Sequence, residues 1–146
     1  DYEADVCVAF AQGNIGKAVQ LATSDSFNEI KNSALHLLKN VSKMEINDII
    51  ATVKSVSEFK IDIQDYLDFL AVWYRDILYF KATRDSNGLI FKDELNVITD
   101  QINKSSYEGI ENILRGLQTA KTRLNANVNF DLTMELLFLL IKENLV

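Results

Sequence analysis

Few residues in this chain are of the types that carry out reactions, and their spacing limits what each could do. The segment GNIGKA, residues 13–18, has the glycines and lysine of a loop that cradles phosphate. Such a loop needs four residues between its glycines, as in G-x-x-x-x-G-K-[ST], so that successive N–H groups surround the anion. Only two stand between Gly13 and Gly16, so the segment reads as a helix boundary, with Gly13 stopping one helix and Asn14 capping the next. His36 is the single histidine, which excludes a His-x-x-x-His zinc pair and the paired Glu-x-x-His motifs of a di-iron bundle. It lies beside an Ala34/Leu37 stripe and reads as a partly buried structural side chain. Cys7 is the single cysteine, so no intrachain disulfide can form, and a lone thiol fits a reducing compartment. Asp62, Asp65 and Asp68 cluster with Glu58 where a helix should begin, and there carboxylates complement the positive end of the helix dipole. No catalytic, cofactor-binding or metal-ligating constellation emerges, so an enzyme is not expected.

The elements that position these residues read as helices throughout. A first helix covers residues 2–11 and a short second one runs from about Ile15 to Thr23. Ser26, three residues before Glu29, makes a capping box for a helix whose stripe is Phe27, Ile30, Ala34, Leu37, Leu38 and Val41. Ile46, Ile49, Ile50, Val53 and Val56 give another. The longest helix is predicted from Asp62 to about Thr83, with Ile63, Leu67, Leu70, Tyr74, Ile77 and Leu78 on one face. Tyr66, Phe69, Trp73 and Phe80 widen that face, as befits a central helix with neighbours on several sides. RDSNGLIF, residues 84–91, carries the turn residues Asp85, Asn87 and Gly88 and reads as a loop. A helix over residues 92–103 follows. A second capping box, Ser105 with Glu108, then opens the cleanest amphipathic stripe in the chain, from Ile110 to Leu124. No segment alternates with a period of two, so the fold class is all-α, a bundle of about six or seven helices.

The 146 residues suit one domain with its own core. Against 15 basic residues stand 21 acidic ones, and the net charge of -6 argues against the clustered Lys and Arg of a large nucleic-acid footprint. Proline is absent where average usage of about 5% would give roughly seven, so long helices go uninterrupted. No basic-then-apolar leader opens the sequence. The most apolar run, Met134 to Ile141, is broken by Glu135 and falls far short of the roughly 20 residues that span a bilayer. A soluble, cytoplasmic domain is expected.

The last helix is apolar nearly all the way round, and its side chains cannot all enter one small core. Either its own bundle surrounds it or part of it meets a partner. The candidate interface residues are Phe130, Met134, Leu137, Leu140 and Ile141, together with Arg75 and Asp76 on the long helix, which form an interface pair or a solvated one. Asn127 reads as a turn residue and Asn129 as a helix cap. Glu135 wants a basic partner that would set register, with Lys121 and Arg123 as candidates.

Three stretches, in order, resemble the C-terminal part of bacterial DNA polymerase III clamp-loader subunits of the delta-prime type. AQGNIGKAVQLA, residues 11–22, is similar to the small-Gly-x-x-Gly-(Lys/Arg)-Ala-x-x-Leu segment that closes the family's lid domain. VWYRDILYFK, residues 72–81, resembles its Trp-x-Arg-Asp-Leu-Leu-like helix. AKTRLNANVNFDLTMELLFLL, residues 120–140, matches Ala-(x)3-Leu-x-x-Asn-x-Asn-x-x-Leu-x-x-Glu-x-Leu-Leu. The resemblance implies that residues 1–23 end a helical lid domain and residues 24–146 form a helical collar, in a subunit whose ATPase-like domain lies upstream. In that family five collars pack into a ring, which is what a terminal helix apolar on most faces would serve.

The implied role is non-catalytic oligomerisation within the complex that loads the sliding clamp onto primed DNA in the bacterial replisome. No cofactor is implied, the partners are the gamma/tau and delta subunits, DNA is met only indirectly, and no membrane is involved. An exposed apolar face would also permit a weak homodimer in isolation. The gamma/tau paralogues carry a nucleotide-sensing arginine in the corresponding lid helix. Here that position holds Gly16, with Lys17 beside it, which argues against a gamma/tau collar. A reading of another class is a small-molecule-binding regulatory domain, its pocket lined by Tyr66, Phe69, Trp73, Tyr74, Tyr79 and Phe80. What separates the two is whether those rings enclose a cavity or fill a core.

Overall fold

Apolar residues at three- and four-residue spacing, uninterrupted by proline, favour helices that bury one face against one another. The computed structural model describes residues 2–10 and 24–145, and among them it holds seven α-helices and no strand. They are α1 (Tyr2–Phe10), α2 (Asp25–Asn40), α3 (Ile46–Val56), α4 (Ile63–Thr83), α5 (Leu95–Lys104), α6 (Tyr107–Asn125) and α7 (Phe130–Glu143). The short helix predicted near Ile15 lies outside the described residues, as does GNIGKA with Gly16 and Lys17.

The long helix α4 packs against α2, α5 and α6, while α7 closes the bundle against α6 and α3. Tyr66, Phe69, Trp73 and Tyr74 on α4 are 0% exposed. Phe69 and Trp73 each lie 5.2 Å from the ring of Phe91, and Phe10 of α1 reaches Phe69 at 5.6 Å. These rings fill the core rather than enclose a cavity, so the small-molecule-pocket reading loses its basis. Each buried ring is worth about 1.5–3 kcal/mol over an exposed one. Tyr79 alone of the six stands well out, at 37% exposure, and its hydroxyl donates to Asp85 at 3.0 Å.

One polar relay runs through this core. The Trp73 Nε1–H donates to Gln101 Oε1 at 3.1 Å, and Gln101 Nε2 donates to the Leu38 carbonyl at 2.7 Å. A single buried amide therefore ties α4, α5 and α2 together with both of its ends satisfied.

The helix starts differ from the capping boxes expected. Ser24, not Ser26, caps α2 by accepting from the Phe27 N–H at 3.2 Å. Ser106, not Ser105, caps α6 by accepting from the Gly109 N–H at 2.9 Å, while the buried Ser105 hydroxyl donates to the Gln101 carbonyl. Both sites lie in runs with more than one hydroxyl, and only tertiary packing selects the cap. A reciprocal box that spacing did not suggest opens α3, where the Glu45 N–H donates to Asp48. At the end of α4, Arg84 turns the chain with φ at 57°, and its N–H donates to the Phe80 carbonyl at 2.8 Å.

Candidate functional site

The two faces of α7 differ sharply. Thr133, Met134, Leu137, Phe138 and Ile141 are buried in the bundle, whereas Leu132 and Leu136, one turn apart, are 53% and 48% exposed. Phe130, Leu139 and Leu140 are half-buried between them. Of the expected interface set, then, Met134, Leu137 and Ile141 serve this chain's own core, and Phe130 and Leu140 keep part of their surface. Leu132 and Leu136 carry most of the exposed apolar area and were missing from that set. Their signal was the four-residue spacing of 132, 136 and 140, which runs down the flank opposite Met134 and Phe138.

Two contacts fix α7 antiparallel to α3. Lys142 Nζ donates to the Met44 carbonyl just before α3 begins, and Lys60, just after α3 ends, sits 4.9 Å over the Phe130 ring. On α3, Ile46 and Ile50 are exposed, and Val128 is exposed in the turn before α7. Asn127 in that turn has φ at 57°, and Asn129 Oδ1 caps α7 by accepting from the Leu132 N–H at 2.9 Å.

On its other side, α7 and α6 enclose a groove of about 280 Å³ lined by Gly116, Thr119 and Arg123 of α6 and Thr133, Leu136 and Leu140 of α7. A Cβ at Gly116 would come within 2.2 Å of Leu140 Cδ2, so glycine is what lets that leucine lie against the α6 backbone. The Thr133 hydroxyl is buried and has no hydrogen-bond partner among the described residues. Glu135 pairs with neither candidate lysine nor arginine: Lys121 is held by Asp68, and Arg123 stands exposed at the groove.

Arg75 and Asp76 do not act as a pair. Arg75 is exposed, whereas Asp76 is 4% exposed and its Oδ2 accepts from the Ile90 and Phe91 N–H groups, both at 2.9 Å. Burial pushes this carboxyl above its usual 3.8, and the two backbone donors pull it part of the way back. Asp76 thus clamps the loop after α4 onto the core. Its place on the inner register of α4, three and four residues from Trp73 and Phe80, was the signal for this role.

His36 is exposed rather than partly buried; Asn40 Nδ2 donates to its carbonyl at 2.8 Å. It falls one position outside the buried Ala34–Leu37–Leu38 stripe. Cys7 is buried against the bundle at 5% exposure. In the acidic cluster, Asp68 lies more than a turn inside α4 and pairs with Lys121, so only Asp62 and Asp65 remain at the helix start. Among the described residues no group of three His, Cys, Asp or Glu side chains could hold a metal ion.

Residues 29–143, which include all of α3 to α7 and the groove, match the model for the C terminus of the DNA polymerase III delta subunit. The chain belongs to this DNA polymerase III family. The DNA polymerase III subunit delta′ of Bacillus subtilis (strain 168) is 26% identical over 133 residues, which is 89% of this chain and 40% of that protein. The chain therefore spans about two fifths of the length of that relative. No solved structure matches. Both findings agree with the motifs in residues 72–81 and 120–140: this is a C-terminal part of a delta-prime-type clamp-loader subunit. No helix among the described residues is long and apolar enough to cross a membrane.

Proposed function

We propose that residues 24–146 are the helical collar of a clamp-loader delta-prime subunit and that residues 1–23 are the end of its lid domain. The collar does no chemistry. It packs against the collars of the gamma/tau and delta subunits and helps hold together the cytoplasmic complex that loads the sliding clamp onto primed DNA. DNA is reached only through that assembly.

The observation that carries this reading is the exposed Leu132–Leu136 pair on a helix whose opposite face is core. With the half-buried Leu140 one turn further on, it gives α7 an exposed apolar flank of the kind that marks a protein partner. Burying one such leucine fully contributes about 1.5–3 kcal/mol. The test is size-exclusion chromatography with light scattering on the full-length subunit, alone and mixed with gamma/tau and delta from the same organism. A mixed complex should form, and Leu136→Asp should weaken it while leaving helicity by circular dichroism unchanged. If the wild-type subunit forms no complex with either partner, the collar reading is wrong.

A further inference from the structure

We propose that Asn87–Gly88, in the loop between α4 and α5, is a modification site where the folded chain forms isoaspartate of its own accord. Asn87 is the only asparagine followed by glycine, and with no Cβ at Gly88 the next backbone nitrogen is open to approach. Both residues are exposed, and the Asn87 carboxamide makes no hydrogen bond among the described residues, so it is free to turn toward that nitrogen. Other asparagines are held. Asn40 and Asn144 donate to carbonyls at 2.8 Å, and Asn129 caps α7. Asn28, Asn32 and Asn96 lie within helices, whose backbone keeps the next nitrogen out of reach. Asn127 is exposed in a turn, but the branched Cβ of Val128 crowds the nitrogen that follows it.

The loop is gripped on both sides of this pair and only loosely at it. Before it, Asp85 accepts from the Tyr79 hydroxyl and from the Asn87 N–H, each at 3.0 Å. After it, Asp76 holds the Ile90 and Phe91 N–H groups. Between these grips the pair sits in a single 3₁₀ turn, Ser86–Gly88, whose closing bond from the Leu89 N–H to the Ser86 carbonyl is long at 3.3 Å. A Cβ at position 88 would come within 2.2 Å of the Tyr79 hydroxyl oxygen, so glycine is kept there while that hydroxyl holds Asp85.

The Gly88 nitrogen attacks Asn87 Cγ, and the new C–N bond closes a cyclic imide. The side-chain nitrogen leaves as ammonia, taking the Gly88 proton. Water then opens the ring. Cleavage between the nitrogen and Cγ gives aspartate; cleavage at the main-chain carbonyl gives isoaspartate, whose backbone runs through the side chain and gains a methylene. That methylene falls between the grips of Asp85 and Asp76, where the loop is exposed and has room to bulge.

The test incubates the full-length subunit in mildly alkaline buffer, folded and in guanidinium. Digestion in acid follows, and electron-transfer fragmentation separates isoaspartate from aspartate. In the folded protein Asn87 should convert several-fold faster than every other asparagine, Asn127 included, with isoaspartate the main product. Its rate should stay within a few-fold of that in guanidinium, and Asn87→Gln should abolish the product. Conversion no faster than that of Asn127, or arrested by folding and resumed only in guanidinium, overturns the proposal. So does aspartate without isoaspartate, which means direct hydrolysis of the carboxamide. None of these results touches the collar reading, which rests on α7.

Discussion

Replacing Asp76 should cost the fold more than any other single polar change in the loop region. One carboxylate oxygen holds two buried N–H groups, Ile90 and Phe91, each at 2.9 Å. Asp76→Leu keeps the branched outline with bulkier methyls and leaves both donors without an acceptor. Each orphaned buried group costs about 1–3 kcal/mol, so the variant should lose about 2–6 kcal/mol. A domain's whole stability is about 5–15 kcal/mol, and a loss of about 4 kcal/mol at a urea slope of about 2 kcal/mol/M should lower the midpoint by about 2 M. Asp76→Asn keeps an acceptor oxygen and should recover most of the loss. The assay is urea unfolding followed by the fluorescence of Trp73, the only tryptophan, fully buried with its ring 5.2 Å from Phe91. Unseating the loop moves Phe91 off Trp73, so the Leu variant should also show red-shifted emission before it unfolds. A Leu variant within about 0.5 kcal/mol of wild type, with emission unmoved, would refute the reasoning, since a neutral surface change has that magnitude.

Asp76 also has a pH signature. Its folded pKa is raised above 3.8, so its contribution is largest in acid and is lost as pH climbs from the unfolded value through the folded one. Measured by urea midpoints, wild type should lose stability relative to Asp76→Asn across that window and hold a constant difference at neutral pH; the opposite slope contradicts the burial argument. Gly116→Ala puts a methyl where Leu140 Cδ2 lies, but that atom is the free end of a half-buried side chain that can swing aside, and alanine gains up to about 1 kcal/mol over glycine inside a helix, so thermal unfolding should show a change of less than about 1 kcal/mol; a loss of several kcal/mol would mean that Leu140 is held in place. Ser24→Ala should cost about 1 kcal/mol as a lost cap, whereas Ser26→Ala should stay within about 0.5 kcal/mol by chemical denaturation.

Helix periodicity carried most of the fold. The stripe from Ile63 to Phe80 marked α4 as central because a face of rings that wide has nowhere to go but inward, and α4 runs as expected from Ile63 to Thr83. Local spacing could not choose between neighbouring serines at the starts of α2 and α6, because both satisfy the same short-range geometry. Asp76 and Gln101 were hidden for another reason. Each is a polar residue at an inward register, and its partners lie 14 to 15 residues away for Asp76 and 28 and 63 away for Gln101, beyond any local pattern. The leucine face was legible as an excess of apolar residues on α7, but which of them stay outside depends on where α3 and α6 press against it.

The relay through Gln101 also bears on how the protein ages. Trp73 offers only a donor and the Leu38 carbonyl only an acceptor, so position 101 needs an oxygen and an N–H at opposite ends of one side chain. Loss of ammonia from Gln101, the slow chemistry of old proteins, would leave a carboxylate facing that carbonyl. The damage would be one atom, and it would fall where α2, α4 and α5 meet.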